Sequence, residues 1–242
     1  IYLINKMKFL VFTTDTPHHL YFVKKLSENY RIGNIIVEKQ SLSPPFDVHH
    51  PFEDQRDQYE KKVLLDGLND RFDDFSKTIE FENINDEKCV KFISDKSPDV
   101  ILTFGTGIIK KNIIDKCPDG IINLHGGDPQ YYRGLDSHLW AIYHKDFTQL
   151  KVSLHRLNTI LDDGEIIEQK SIKITKGLKL YMLRAENTKL CIELTCDALR
   201  KFSIDGIFRS IPQRKIGRYY SFMPSVLKEI AFLNFNNFVK GL

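Results

Sequence analysis

No stretch of this chain reaches the roughly 18 consecutive apolar residues that a membrane-spanning helix requires, and its first residues lack the apolar segment and small-residue cleavage site of a secretory leader. A soluble, cytoplasmic protein with no membrane partner is expected. Cysteine is scarce as well: Cys89, Cys117, Cys191 and Cys196 are the only ones, and none is paired at the spacing of a zinc site. They read as reduced core thiols, in keeping with a reducing compartment. An excess of charge of one sign is also missing. The 35 Lys and Arg against 32 Asp and Glu leave a formal charge of +3, so no strong field draws the chain toward nucleic acid.

Two nucleotide signatures are absent. The loop after the first strand, Thr13-Thr14-Asp15-Thr16-Pro17, has no Gly-x-Gly-x-x-Gly to let the backbone approach a pyrophosphate, and no Gly-x-x-x-x-Gly-Lys-Ser/Thr occurs anywhere. Nicotinamide or flavin oxidoreductases and P-loop ATPases are set aside. His18-His19 and His49-His50 are adjacent pairs whose side chains diverge, with no Cys or acidic residue at ligand spacing, so no metal site is expected. No internal repeat or low-complexity tract breaks the chain.

The 242 residues, 42% of them hydrophobic, suffice for one substantial core, expected at 7–205, and a short C-terminal appendage at 206–242. Residues 1–6 precede Met7 and read as an upstream extension. Lys8 to Thr14 predicts a strand, Pro17 to Tyr30 a helix and Ile32 to Val37 a second strand. The prolines between Gln40 and Phe52 predict irregular structure, and Glu53 to Phe75 a charged surface helix. Thr78 to Phe81 is a short strand, Asn85 the expected N-cap of a helix through Lys96, and Asp99 to Phe104 and Gly120 to Leu124 are buried parallel strands. Ser137 to His144 is helical, Lys151 to Leu157 and Glu165 to Ile174 alternate like an antiparallel pair, and Leu178 to Phe202 is the longest helix. This alternation predicts an α/β fold: a Rossmann-like, doubly wound, mostly parallel sheet with antiparallel additions, binding ligands at the carboxyl ends of its strands.

Asn123 and His125 sit at such an end. An amide to receive a developing oxyanion, an imidazole to shuttle a proton and a carboxylate to hold that imidazole suffice for acyl transfer without a covalent intermediate. Asp162-Asp163-Gly164 returns to the sheet after one helix and one strand and supplies the carboxylate. Between them, His125-Gly126-Gly127-Asp128-Pro129 must turn sharply, and Tyr132-Arg133-Gly134 adds a cation and a further turn.

In these residues the chain resembles the formyltransferase superfamily that uses 10-formyltetrahydrofolate. Its pattern of Asn-x-His, Pro-x-Tyr-Arg-Gly, Trp-Ala-Ile and Asp-x-Gly is matched by Asn123, His125, Pro129, Tyr132, Arg133, Gly134, Trp140, Ala141, Ile142, Asp162 and Gly164. The likeness runs from about Lys8 to Phe202. It implies the formyltransferase fold and an N-formyltransferase with Asn123, His125 and Asp162 as catalytic residues, the last chosen over Asp163 by register. It further implies that Phe104, Gly105, Thr106, Gly107 and Ile108, with Asp162, bind 10-formyltetrahydrofolate as co-substrate, with no metal. The chain departs from relatives at Gly126-Gly127-Asp128, at Lys151, which replaces a frequent glycine before the Val-x-x-His strand, and at Asp163, which replaces a threonine.

For the acceptor, the glycine- and serine-rich phosphate loop of glycinamide ribonucleotide transformylases is missing. The 37 residues after 205 are also too few for the barrel that accompanies transfer-RNA enzymes. Within the superfamily the chain is thus most similar to the sugar-nucleotide N-formyltransferases, which implies a nucleotide-linked amino sugar such as dTDP-4-amino-4,6-dideoxyglucose, used for surface polysaccharide such as the O-antigen of lipopolysaccharide. Thr14, Asp15, Gly126, Tyr132, Arg133, Arg218, Tyr219 and Tyr220 are the substrate-binding candidates, the last three because cations and aromatics suit a pyrophosphate and a base. The alternatives are a methionyl-tRNA formyltransferase lacking the barrel and a non-catalytic folate- or nucleotide-binding module. Phe222, Leu227, Ile230, Phe232 and Phe235 in the tail form either a homodimer surface or a face packed on their own domain.

Overall fold

The first strand, β1 (Phe9–Thr13), is buried along its whole length, because alternate residues feed two separate apolar layers. Phe9 and Val11 join a core with Phe22, Val23, Leu194 and Ala198. Leu10 and Phe12 join another with Cys89, Ile93 and Ile113. A strand buried on both faces has to be apolar at every position, which is why these runs show no alternation. The computed structural model describes residues 7–40, 43–66 and 69–242. The expected upstream extension at 1–6 lies outside them, as do 41–42 in the predicted loop and 67–68 in the predicted surface helix.

After β1 come α1 (Pro17–Ser27), β2 (Ile32–Glu38), α2 (Pro51–Val63), β3 (Thr78–Phe81), α3 (Glu87–Lys96), β4 (Val100–Phe104), α4 (Lys111–Ile114) and β5 (Ile121–His125). Next are β6 (Tyr132–Gly134), α5 (Ser137–Tyr143), β7 (Lys151–Arg156), β8 (Ile166–Ser171), α6 (Leu183–Asp205), β9 (Arg218–Tyr220) and α7 (Ser225–Lys240). The main sheet has the order β3-β2-β1-β4-β5-β7-β8. Its first five strands are parallel and the last two antiparallel, which is the doubly wound sheet with antiparallel additions read from the sequence. The chain winds outward from β1 and returns to β4, so β1 and β4 border the switch point where such sheets bind ligands.

Three local expectations are corrected. The surface helix begins at Pro51 and ends at Val63, with only a single 3-10 turn at Phe72–Asp74 beyond. Proline at the first helical position sacrifices no bond, and His50 with Glu53 closes a capping box there. Asn85 does not cap α3, a place taken by Asp86; its amide instead donates to Ile108 O at 2.9 Å and accepts from Lys110 N at 2.8 Å. The longest helix starts at Leu183, after a 3-10 turn, and stops at Asp205.

The tail folds back onto its own chain. β9 pairs in parallel with β6, Phe238 stacks on Phe147 at 3.8 Å, and the buried Lys228 bonds Glu53 at 3.0 Å and Val48 O at 2.6 Å. Of the five tail residues set apart from sequence, Phe235 is fully buried and only Ile230 is exposed. Among the described residues no helix is long and apolar enough to cross a membrane.

Candidate active site

Asn123 lies opposite His155 in the antiparallel register of β5 and β7, and that pairing builds the floor of the site. Thr103 on β4 donates to Asn123 Oδ1 at 2.6 Å, which orients the amide so that Nδ2 donates to His155 Nε2 at 3.1 Å. His155 Nδ1 in turn donates to Arg156 O at 2.7 Å. With that tautomer the buried imidazole is an acceptor toward Asn123. One amide N–H is thereby used, and the other remains for a ligand.

His125 ends β5. Its Nε2 donates to Tyr132 O at 2.8 Å, leaving Nδ1 as the nitrogen 3.6 Å from Asp162 Oδ2. Asp162 is held in the left-handed region at φ 50°, a conformation that costs a non-glycine residue about 1 kcal/mol or more. Gly134 N donates to Asp162 Oδ2 at 2.8 Å, and His155 Nε2 stands 3.6 Å from Oδ1. Burial would raise the carboxyl, but the His125 imidazole and the Gly134 N–H outweigh it and hold Asp162 well below the usual carboxylate range. Asp163 lies elsewhere, accepting from Asn158 at 3.3 Å.

These groups open onto a cleft of about 430 Å³ at the switch point. On one side stand Phe104 to Ile109 with Leu157 and Leu161, an apolar slot suited to a flat ring. Gly105 has φ 78°, and a Cβ there would lie 2.2 Å from His19 Cε1, so only glycine fits. The loop is anchored from behind: Gly107 N donates to the buried Glu38 carboxylate at 2.7 Å, Ile84 N donates to the same group at 3.1 Å, and Asn85 ties Ile108 and Lys110. On the other side are Gly126, His138, Leu139, Leu183, Arg184 and Asn187.

Of the residues expected from sequence, Asn123, His125, Asp162, Phe104 to Ile108, Gly126 and Tyr219 all line this cleft. Thr14, Asp15, Tyr132, Arg133, Arg218 and Tyr220 do not. Thr14 bonds His19 Nδ1 at 3.0 Å. Asp15 is exposed. Tyr132 donates to Asp146 at 3.2 Å, Arg133 is buried and donates to Leu161 O, and Tyr220 stacks on Trp140 at 4.9 Å. Arg218 sits over the Tyr220 ring at 5.4 Å. The motif strand β6 therefore acts through its backbone, which bonds His125 and Asp162.

Sequence reasoning assigned no role to Thr103, His155, Glu38, His138 or Asn187. Only for His155 was there a signal, its place in the Val-x-x-His strand. Among the described residues no group of three or more His, Cys, Asp or Glu side chains is arranged to hold a metal ion.

Residues 7–190 match the family described as formyl transferase. Methionyl-tRNA formyltransferase of Borreliella burgdorferi is 30% identical over 154 residues, covering 63% of this chain and 48% of that protein. The chain thus spans about half the length of the curated relatives it matches. A sugar N-formyltransferase from a Shewanella species superposes with a TM-score of 0.61 over 96% of this chain and 88% of that one, at 14% identity. WlaRD, a sugar 3N-formyl transferase solved in the presence of dTDP and 5-N-formyl-THF, gives a TM-score of 0.57 at 17% identity over 89% of this chain and 69% of its own. At these identities the likeness to solved structures is one of fold.

Proposed function

The chain belongs to the formyl transferase family, and on that premise we propose that it transfers a formyl group from 10-formyltetrahydrofolate to the amine of a nucleotide-linked amino sugar. The observation that carries this reading is the convergence of Asn123, His125 and Asp162 at the base of one cleft, between an apolar slot and a polar recess. The slot fits the folate: its walls are apolar, Gly105 lets the backbone come close, and Glu38 and Asn85 fix the loop before anything binds. When bound there, 10-formyltetrahydrofolate supplies a formyl carbon attached to a nitrogen that can leave.

Asn123 aims its remaining N–H at the formyl oxygen, where negative charge grows as the amine attacks. Losing such a donor costs about 100- to 1,000-fold in rate. His125, fixed through Nε2 by the Tyr132 carbonyl, carries the transferred proton at Nδ1. Asp162 stays ionised and stabilises the imidazole while it holds that second proton. His155 steers Asn123. No covalent enzyme intermediate is needed: burial pushes the Cys89, Cys117 and Cys196 thiols up to about 12, about 11 and about 11, away from thiolate chemistry.

For the sugar nucleotide, support comes from β9, which is paired onto the motif strand and brings Tyr219 into the cleft, and from the fold shared with two sugar enzymes. The 30% identity to a transfer-RNA enzyme favours the second reading, a methionyl-tRNA formyltransferase. The protein is mixed with 10-formyltetrahydrofolate and, in parallel, with amino-sugar nucleotides or charged initiator transfer RNA, and formamide is followed by mass spectrometry. Turnover of the sugars supports the first reading, and turnover of transfer RNA alone the second.

A further inference from the structure

Gly126 follows His125 directly, and the space where its side chain would be is bordered by the edge of the His138 ring and by the Asn187 carboxamide oxygen. A Cβ placed on Gly126 would lie 3.3 Å from His138 Cε1, 3.5 Å from Asn187 Oδ1 and 3.6 Å from His138 Nδ1. Asn187 is 6% exposed, lines the cleft from α6, and its Oδ1 is buried without a partner. Its Nδ2 is turned away, toward Cys191 Sγ at 3.6 Å. A buried carbonyl oxygen left without a donor is costly, and a cleft wall is where a ligand recovers that cost.

His138 is the complement. Its Nε2 donates to Lys151 O at 2.6 Å, which puts the ring proton on that nitrogen and leaves Nδ1 as a lone pair toward the same space. Burial pushes the imidazole down to about 4, and the neighbouring His125 acts in the same direction, so near neutral pH His138 stays uncharged and Nδ1 stays an acceptor. Arg184, the cation of α6 that lines the cleft, is engaged with Glu60 at 2.7 and 2.6 Å and with Asp57 at 3.0 Å.

We infer that Asn187 Oδ1 and His138 Nδ1 form a two-acceptor cradle over Gly126 that receives the two N–H bonds of the attacking primary amine. The inference rests on the formyl-transfer reading and names the residues that select the nucleophile. Two acceptors suit a group with two donors: an amine satisfies both and keeps its lone pair free, whereas a hydroxyl has one proton and leaves one acceptor unpaired. That lone pair forms the bond to the formyl carbon. The bond from that carbon to the folate nitrogen breaks with its electron pair on the nitrogen, which takes up the proton the amine loses by way of His125. Gly126 has no left-handed φ to require glycine, so its role is to leave this space empty.

The test compares the wild type with Asn187→Leu and Gly126→Ala, using 10-formyltetrahydrofolate and whichever of a panel of thymidine- and uridine-diphosphate amino sugars the wild type formylates best. Expected is a drop of about tenfold or more in kcat/KM for the amine in each variant, with tetrahydrofolate binding, read by fluorescence, within twofold of wild type. A sugar nucleotide carrying hydroxyl in place of the amine should inhibit Asn187→Leu within about threefold of the wild type, since its single proton can pair with His138 alone. Active wild type with variants that keep kcat/KM within twofold overturns the cradle and leaves the transfer reading standing. A wild type that formylates no amine overturns both. Equal loss of folate binding in the variants also overturns the cradle, since it marks general damage to the cleft.

Discussion

Asn123 Nδ2 and His155 Nε2 stand 3.1 Å apart across the antiparallel pairing of β5 and β7. Thr103 holds the amide oxygen at 2.6 Å, and His155 holds the N–H on the other side. His155→Leu removes that acceptor and leaves the amide fixed at one end only. The expected result is a fall in kcat on the order of tenfold or more, with KM for the folate little changed, because the interaction shapes the transition state more than ground-state binding. Steady-state kinetics with each substrate varied in turn measures it, and an unchanged kcat would remove His155 from the account.

Gly105 and His19 shape the side of the cleft proposed for the folate. Alanine at 105 forces a Cβ to 2.2 Å from His19 Cε1 at a backbone angle of 78°. Gly105→Ala should cost about 2 kcal/mol or more of stability, since strain and overlap add, and should raise KM for 10-formyltetrahydrofolate more than KM for the acceptor. Urea denaturation and kinetics test the two parts separately. Full stability in the variant would mean that the loop is not held against His19.

The buried histidines give stability a pH dependence of definite sign. Burial pushes His19 down to about 3 and His138 to about 4, and it lowers His18 well below the ordinary value, with His19 adding to the effect. In the unfolded chain each takes a proton near pH 6.5. Between those values the unfolded state binds more protons, so stability falls as pH falls, by up to about 1.4 kcal/mol per pH unit for each histidine. Asp162, with its folded pKa depressed, acts in the same direction only below its unfolded value near 4. The urea midpoint should be flat above pH 7 and decline steadily from 6.5 to 4.5. A midpoint constant over that range would contradict burial of neutral imidazoles.

The doubly wound sheet and the meeting of Asn123, His125 and Asp162 at one strand end were legible because parallel strands write themselves as unbroken apolar runs and because the three residues keep their spacing in a motif. What escaped depends on register and reach. His155 joins the site through pairing with Asn123, a relation between residues 32 apart that no local pattern encodes. Asn85 read as a helix cap and Glu38, just past the expected strand, carried no signal, yet both turn toward the loop after β4. Tyr132 and Gly134 of the motif bond the site through backbone atoms, while the Tyr132 and Arg133 side chains turn to Asp146 and to Leu161 O. Pro51 misplaced a helix start because proline breaks a helix everywhere except at its first turn.

The most direct measurement is formamide formation from 10-formyltetrahydrofolate and amino-sugar nucleotides by the wild type and by His125→Ala. A formylated sugar nucleotide should accumulate with the wild type, and the variant should be slower by about 100-fold or more. Near-normal rates in His125→Ala, or formylation of charged initiator transfer RNA with no turnover of any sugar, would contradict it.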